Sequence, residues 1–183
     1  LETMATNLPA GDLPPRVDQQ GYVLLVADGI GGRAGGEQAS RRAIGALVEV
    51  ATRIPDWILR LDDAHASELM QRAGDYFAQV DAILEAEAAL DPELSGMGTT
   101  LTAVYLLDRD LILAHVGDSR AYRFRDGALI RLTQDQTMAQ ALADAGVITA
   151  DEVKSHRQRH ILTDALGAAS GAPKVQLGRH DLR

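Results

Sequence analysis

The 183 residues contain no cysteine. That absence excludes a disulfide framework, a zinc ribbon, an iron–sulfur cluster and a cysteine nucleophile. Aromatic residues are few, with one Trp, four Tyr and two Phe. Basic residues are outnumbered 18 to 26, giving a net charge of −8. Nucleic acid is therefore excluded as an expected partner, because phosphate binding rests on concentrated Lys and Arg. No apolar run approaches the ~20 residues needed to span a bilayer, and no charged-then-apolar leader opens the chain. The expectation is a soluble, cytoplasmic protein with no membrane segment. At roughly 150 residues per domain the length allows one domain, long enough to bury a core without staples. The chain opens on Leu1 instead of Met and ends at Arg183, which reads as a piece of something longer.

What is present alternates between strand and helix signals. Residues 1–20 carry Pro9, Gly11, Pro14 and Pro15 and read as a loop-like lead-in. The unbroken apolar run 21–27 reads as a strand buried on both faces, stopped by Asp28-Gly29. A glycine-rich stretch follows to Gly36. From Glu37, Ala39, Ala43, Ala46, Leu47, Val50 and Ile54 recur at helical spacing up to Pro55. Glu37 is placed by this reading at the helix N-terminus. Residues 56–66 form a predicted loop with Trp57 against the core, and 67–90 a second core-facing helix. Strands are expected over 99–107, 111–116, 120–125 and 128–132, with Asp126-Gly127 as a hairpin turn. The tail returns to helix over 136–145, and Thr149 to Glu152 makes a capping box opening a helix to about His156. No internal repeat is visible.

Two strands end on the same chemistry. The first delivers Asp28-Gly29 and the strand 111–116 delivers Gly117-Asp118. A carboxylate at the mouth of a sheet, beside a glycine that lets the backbone approach, suits a hard cation. With oxygen ligands and no Cys, that cation is Mg²⁺ or Mn²⁺ and not zinc. Asp-Gly is also among the commonest turn dipeptides, and Asp126-Gly127 is an internal example of a plain turn. His115 shares a strand face with Leu111 and Leu113 and reads as a packed imidazole; Arg120 reads as a structural ion-pair partner.

Six segments in order carry a family resemblance. Val26-Ala27-Asp28-Gly29-Ile30-Gly31-Gly32, with Gly36-Glu37-Gln38-Ala39-Ser40 after it, resembles the first metal motif of the metal-dependent, type 2C serine/threonine protein phosphatases. Gly96-Met97-Gly98-Thr99-Thr100 resembles that family's Gly-x-Thr-Thr strand opening. Ala114 to Tyr122 resembles its Val-Gly-Asp-Ser-Arg strand and turn, and Leu132-Thr133-Gln134-Asp135 its Leu-Thr-x-Asp segment. Residues 145–149 and 160–167 match the bacterial pattern. The likeness covers residues 21–167 of a single, partial phosphatase domain spanning 1–183.

The resemblance implies an α+β fold: an antiparallel β-sandwich flanked by helix pairs in four α/β/β/α layers, incomplete at its terminal strands. It implies that Asp28 bridges two Mn²⁺ or Mg²⁺ ions, that the Gly29 carbonyl binds one, and that Asp118 serves a third ion in the complete domain. Asp28 and Asp118 are the implied catalytic residues. A water held between the ions would attack phosphoserine or phosphothreonine in proteins phosphorylated by a bacterial Ser/Thr kinase. Animal members carry a histidine in the first motif where this chain has Ile30, and Gln136 stands where the family often has His. The family's opening Arg and acidic run are not matched, since Arg16-Val17-Asp18-Gln19-Gln20 lies too close to the first strand. Its later Ser-Asp-Gly and Asp-Asn carboxylates are absent before Arg183. The expectation is an internal fragment of a phosphatase domain. The alternative is a catalytically impaired pseudophosphatase acting as a phosphoprotein-binding or regulatory module.

Overall fold

The computed structural model describes residues 21–30, 32–52, 63–107, 109–168 and 171–182. The expected lead-in at 1–20, with its Arg16 to Gln20 segment, lies outside the described residues, as do Ile54, Pro55 and Trp57. In chain order the elements are β1 (Gly21–Val26), β2 (Gly29–Ile30), α1 (Gly32–Thr52), α2 (Asp63–Leu90), a 3₁₀ turn (Pro92–Leu94), β3 (Gly98–Thr99), β4 (Leu101–Leu107), β5 (Asp110–Val116), β6 (Tyr122–Arg125), β7 (Ala128–Arg131), α3 (Met138–Asp144), α4 (Ala150–Val153) and β8 (Gln176–Asp181). None of these helices is long and apolar enough to cross a membrane.

The main sheet is antiparallel in the order β1-β4-β5-β8, with β2–β3 and β6–β7 as separate two-stranded pairs. β5 is the hydrophobic centre: Leu111 to Val116 are all buried. The apolar run Leu111 to Ala114 follows from having both faces covered. On one face Ala114, Val116 and Leu101 meet Ala39, Ala43, Ala46 and Leu47 of α1 and Phe77, Val80 and Leu84 of α2. On the other, Leu111, Leu113 and Val104 pack with Leu106, Ala121, Leu132 and Leu182. The described residues thus show the expected α+β antiparallel class, with a helix pair on one face of the main sheet.

β1 departs from the sequence reading. It was expected to be buried on both faces, yet Tyr22, Leu24 and Val26 are each more than half exposed. The reason is position: among the described residues β1 lies at the edge of the sheet and pairs with β4 alone. Leu25 faces the helices, whereas no described element covers the opposite side. β8 carries no sequence signal at all. Gln176-Leu177-Gly178-Arg179-His180-Asp181 has one large aliphatic side chain, and the strand is held instead by its ladder to β5 and by Arg179 Nε donating to Asp110 Oδ1 at 2.8 Å.

Boundaries also shift. α1 takes in the end of the glycine-rich stretch, so Glu37 lies beyond its first turn and pairs with Arg41 at 2.7 Å instead of capping the helix. α2 starts at Asp63, inside the expected loop. α3 starts one residue after its N-cap Thr137, whose hydroxyl accepts from Gln140 N at 3.2 Å. In the expected capping box, Thr149 N donates to Glu152 Oε2 at 2.7 Å, and α4 ends at Val153. Asp126 and Gly127 both have positive φ, 51° and 76°, as a tight two-residue hairpin turn of β6–β7 requires.

Candidate metal centre

Asp28 follows β1 with its side chain exposed and its backbone pinned. Its N–H donates to Thr100 Oγ1 at 3.0 Å. Its carbonyl accepts from Thr100 N at 2.9 Å and from Thr99 Oγ1 at 3.0 Å. The two threonines just before β4, Thr99 at the end of β3 and Thr100 after it, therefore hold the Asp28 backbone and leave its carboxylate free to aim outward. Gly29 is demanded by packing: a Cβ there would lie 1.8 Å from the Gly36 carbonyl oxygen. The glycine-rich stretch thus lets α1 cross β2 at backbone contact.

Asp118 comes from the end of β5 and is half-buried. The chain turns at Gly117, whose φ is +106° and whose added Cβ would meet Thr100 Cγ2 at 2.5 Å. Gly117 N donates to Gln136 Oε1 at 2.7 Å, and Gln136 N donates back to the Gly117 carbonyl at 2.8 Å. Ser119 Oγ lies 2.7 Å from Thr100 Oγ1. Thr100 therefore touches both carboxylate-bearing turns, and its hydroxyl joins the backbone of Asp28 to the side chain of Ser119.

Electrostatics connect the same groups. Burial pushes the Asp118 carboxyl above its ordinary range; the negative charges of Asp135 and Asp28 push it the same way, and Arg120 opposes them. Asp135 was left without a role at the sequence level. It is buried at 6% exposure and receives Arg120 Nε at 2.9 Å and Nη2 at 2.5 Å, with Arg131 Nη1 at 3.3 Å. The pairing makes Arg120 the structural partner expected of it. Arg120 and Arg131 lie 15 and four positions from Asp135, and with Arg131 ending β7 and Asp135 in the loop after it, neither spacing is a helical pairing signal.

His115 is fully buried and holds no candidate ligand position. Its Nε2 lies 3.2 Å from the Gln134 carbonyl, which can only accept, so that nitrogen carries the proton. Nδ1 then accepts from the Thr102 hydroxyl at 2.8 Å. Burial holds this imidazole below its usual pKa, against the pull of nearby carbonyls and carboxylates.

Among the described residues, no three His, Cys, Asp or Glu side chains converge as a metal-ligand group. Asp28, the Gly29 carbonyl and Asp118 offer oxygen only, the donor type of a hard divalent cation. The charge that lifts the Asp118 carboxyl is also what a cation would offset. The set fits such an ion in kind and is short in number: two carboxylates and a carbonyl leave much of an about six-coordinate shell to water or other groups.

The sequence model for protein phosphatase 2C matches residues 5–169. The chain belongs to the protein phosphatase 2C family. It is 42% identical over 157 residues to the serine/threonine protein phosphatase PstP of Mycobacterium tuberculosis, covering 85% of this chain and 28% of PstP. It is 32% identical over 145 residues to the serine/threonine phosphatase Stp of Listeria monocytogenes, covering 79% of this chain and 55% of Stp. The chain therefore spans from about a quarter to just over half the length of these relatives. Among solved structures it is similar to the serine/threonine phosphatase of S. agalactiae, with TM-score 0.78 and 29% identity over 89% of this chain and 64% of that one. It is also similar to the PstP catalytic domain in complex with two manganese ions, with TM-score 0.67 and 32% identity over 93% of this chain and 68% of that one.

The family match extends beyond the 21–167 region of resemblance into the lead-in. In this phosphatase 2C chain the motif segments converge through backbone pairing. Gly29 pairs Thr99, Thr99 pairs Leu166, and Thr163 N donates to the Gln136 carbonyl at 2.9 Å. The 145–149 segment is different: it links α3 to α4, mostly exposed at the surface.

Proposed function

We propose that this chain carries the metal-holding part of a protein-serine/threonine phosphatase, with Asp28, the Gly29 carbonyl and Asp118 as ligands for Mn²⁺ or Mg²⁺. The observation that carries the reading is the pair of turns, Asp28-Gly29 and Gly117-Asp118, tied together through Thr100 with their carboxylates within electrostatic reach. The substrates are phosphoserine and phosphothreonine in proteins, the products of a bacterial Ser/Thr kinase, and the place of action is the cytoplasm.

Divalent ions bound there would lower the pKa of a water toward neutrality and offset charge on the phosphoryl oxygens. The chain's own contribution is orientation. Three hydrogen bonds fix the Asp28 backbone before any ligand arrives, so binding has only the side-chain rotamer left to order. Gly29 lets β2 approach α1 at a separation that any Cβ would block. Asp135 remains neutralised by Arg120 and Arg131, which limits the repulsion that Asp118 feels. With no Cys in the chain, no thiol phosphoenzyme can form. Ile30 offers no proton to a leaving alkoxide.

A second reading, a pseudophosphatase that binds phosphoproteins, draws support from one observation: among the described residues no group of three His, Cys, Asp or Glu side chains is placed to hold a metal ion. Turnover of a phosphothreonine peptide with and without Mn²⁺ separates the two. The phosphatase reading expects Mn²⁺-dependent phosphate release that Asp28→Ala abolishes. Peptide binding without release would support the pseudophosphatase, and release unchanged by Asp28→Ala would contradict the metal role.

A further inference from the structure

Gly117 cannot satisfy its own polar groups within β5, because its φ of +106° turns the chain out of the strand. Both groups are met by one residue. Gln136 Oε1 accepts from Gly117 N at 2.7 Å, and Gln136 N donates to the Gly117 carbonyl at 2.8 Å. The other end of the same amide reaches a different part of the chain: Nε2 donates to the Lys174 carbonyl at 2.7 Å, two residues before β8. The Gln136 carbonyl accepts from Thr163 N at 2.9 Å. One residue thus binds the turn before Asp118, the 163 segment and the approach to β8.

The chemistry of the side chain matters here. An amide presents an acceptor and a donor from one planar group, which is what the Gly117 N–H and the Lys174 carbonyl require. A carboxylate would satisfy Gly117 and turn an oxygen toward the Lys174 carbonyl. An aliphatic side chain would satisfy neither and leave the buried Gly117 N–H unpaired.

We propose that Gln136 is a positioning residue for Asp118, fixing the Gly117 turn so that the Asp118 carboxylate is presented to a divalent cation. The inference rests on reading Asp118 as a metal ligand. Residues that orient metal ligands from outside the coordination shell typically change affinity about 10–100-fold when replaced. A residue that only anchors β8 would change stability and leave affinity alone.

The test is calorimetric titration of the full 183-residue chain with Mn²⁺, alongside urea midpoints. Gln136→Met is expected to weaken Mn²⁺ binding by about tenfold, toward the value of Asp118→Asn. The double variant Asp118→Asn/Gln136→Met is expected to bind no more weakly than Asp118→Asn alone. If Gln136→Met does not fold, Gln136→Asn takes its place: it keeps the amide on a stem one methylene too short to span both partners. Wild-type affinity in a folded Gln136→Met or Gln136→Asn chain, with Asp118→Asn weakened, overturns the positioning role and leaves the metal reading intact. Affinity unmoved by Asp118→Asn, or no Mn²⁺ binding at all, overturns the metal reading of Asp118 and this inference with it.

Discussion

Replacing Gly117 by Ala strains the turn before Asp118 in two separable ways. The residue has φ +106°, beyond the left-handed helical well near +57°. An L-residue held at positive φ costs about 1–2 kcal/mol. The new Cβ would also lie 2.5 Å from Thr100 Cγ2, 2.7 Å from its Cβ and 3.1 Å from its Cα. Thr100 is buried and committed to Asp28 and Ser119, so it cannot move aside freely. Overpacking of that kind costs about 1–3 kcal/mol. The sum, about 2–5 kcal/mol, is a large share of the ~5–15 kcal/mol that stabilises a typical domain. Gly146→Ala is the matched control: φ is +71° and nothing lies within 4 Å, so only the conformational cost applies. Urea unfolding of both variants reads the difference, with the slope m checked for constancy. Gly117→Ala should lose clearly more than Gly146→Ala. Equal losses would refute the claim that Thr100 blocks the space beside this turn.

Two further outcomes follow from the groups behind the turn. Arg120→Met takes two hydrogen bonds from the buried Asp135 and leaves Arg131 at 3.3 Å, so urea unfolding should show a loss of about 1.5–3 kcal/mol; no loss would contradict the pairing. His115 is held neutral by burial, so between its lowered folded pKa and the usual 6.5 the unfolded chain binds a proton that the folded chain refuses. Stability should therefore rise with pH up to about 6.5 and be lost as pH falls below it, and His115→Gln should flatten that part of a pH–stability profile. An unchanged profile would contradict a buried neutral imidazole.

The parts of the fold legible in the sequence were those where local chemistry and tertiary position agree. The alternating small and aliphatic residues of α1, the apolar residues Leu111 to Ala114 of β5 and the Asp126-Gly127 turn each specify their environment directly. β1 misled because an apolar run reports hydrophobicity and not how many neighbours the strand finds; at a sheet edge the same residues stand exposed. β8 was invisible because its polar sequence is stabilised by pairing with β5 and by Arg179, a partner 69 positions from Asp110. At the candidate site, Asp28, Gly29 and Asp118 are nominated from the sequence because strand ends and glycines mark them. Asp135, Thr100 and Gln136 act through contacts 15 to 72 positions away, which no spacing rule reveals. The motif order announced the family, but the division of labour between ligand and support needed the three-dimensional arrangement.

The central claim is that Asp28, the Gly29 carbonyl and Asp118 are ligands for divalent cations bound at these two turns. The most direct measurement is anomalous diffraction from crystals of this chain grown with Mn²⁺. The account predicts a manganese peak in contact with the Asp28 carboxylate and the Gly29 carbonyl, with Asp118 in contact with the same or an adjacent peak. Manganese bound elsewhere, or no peak at these residues at saturating Mn²⁺, would contradict it.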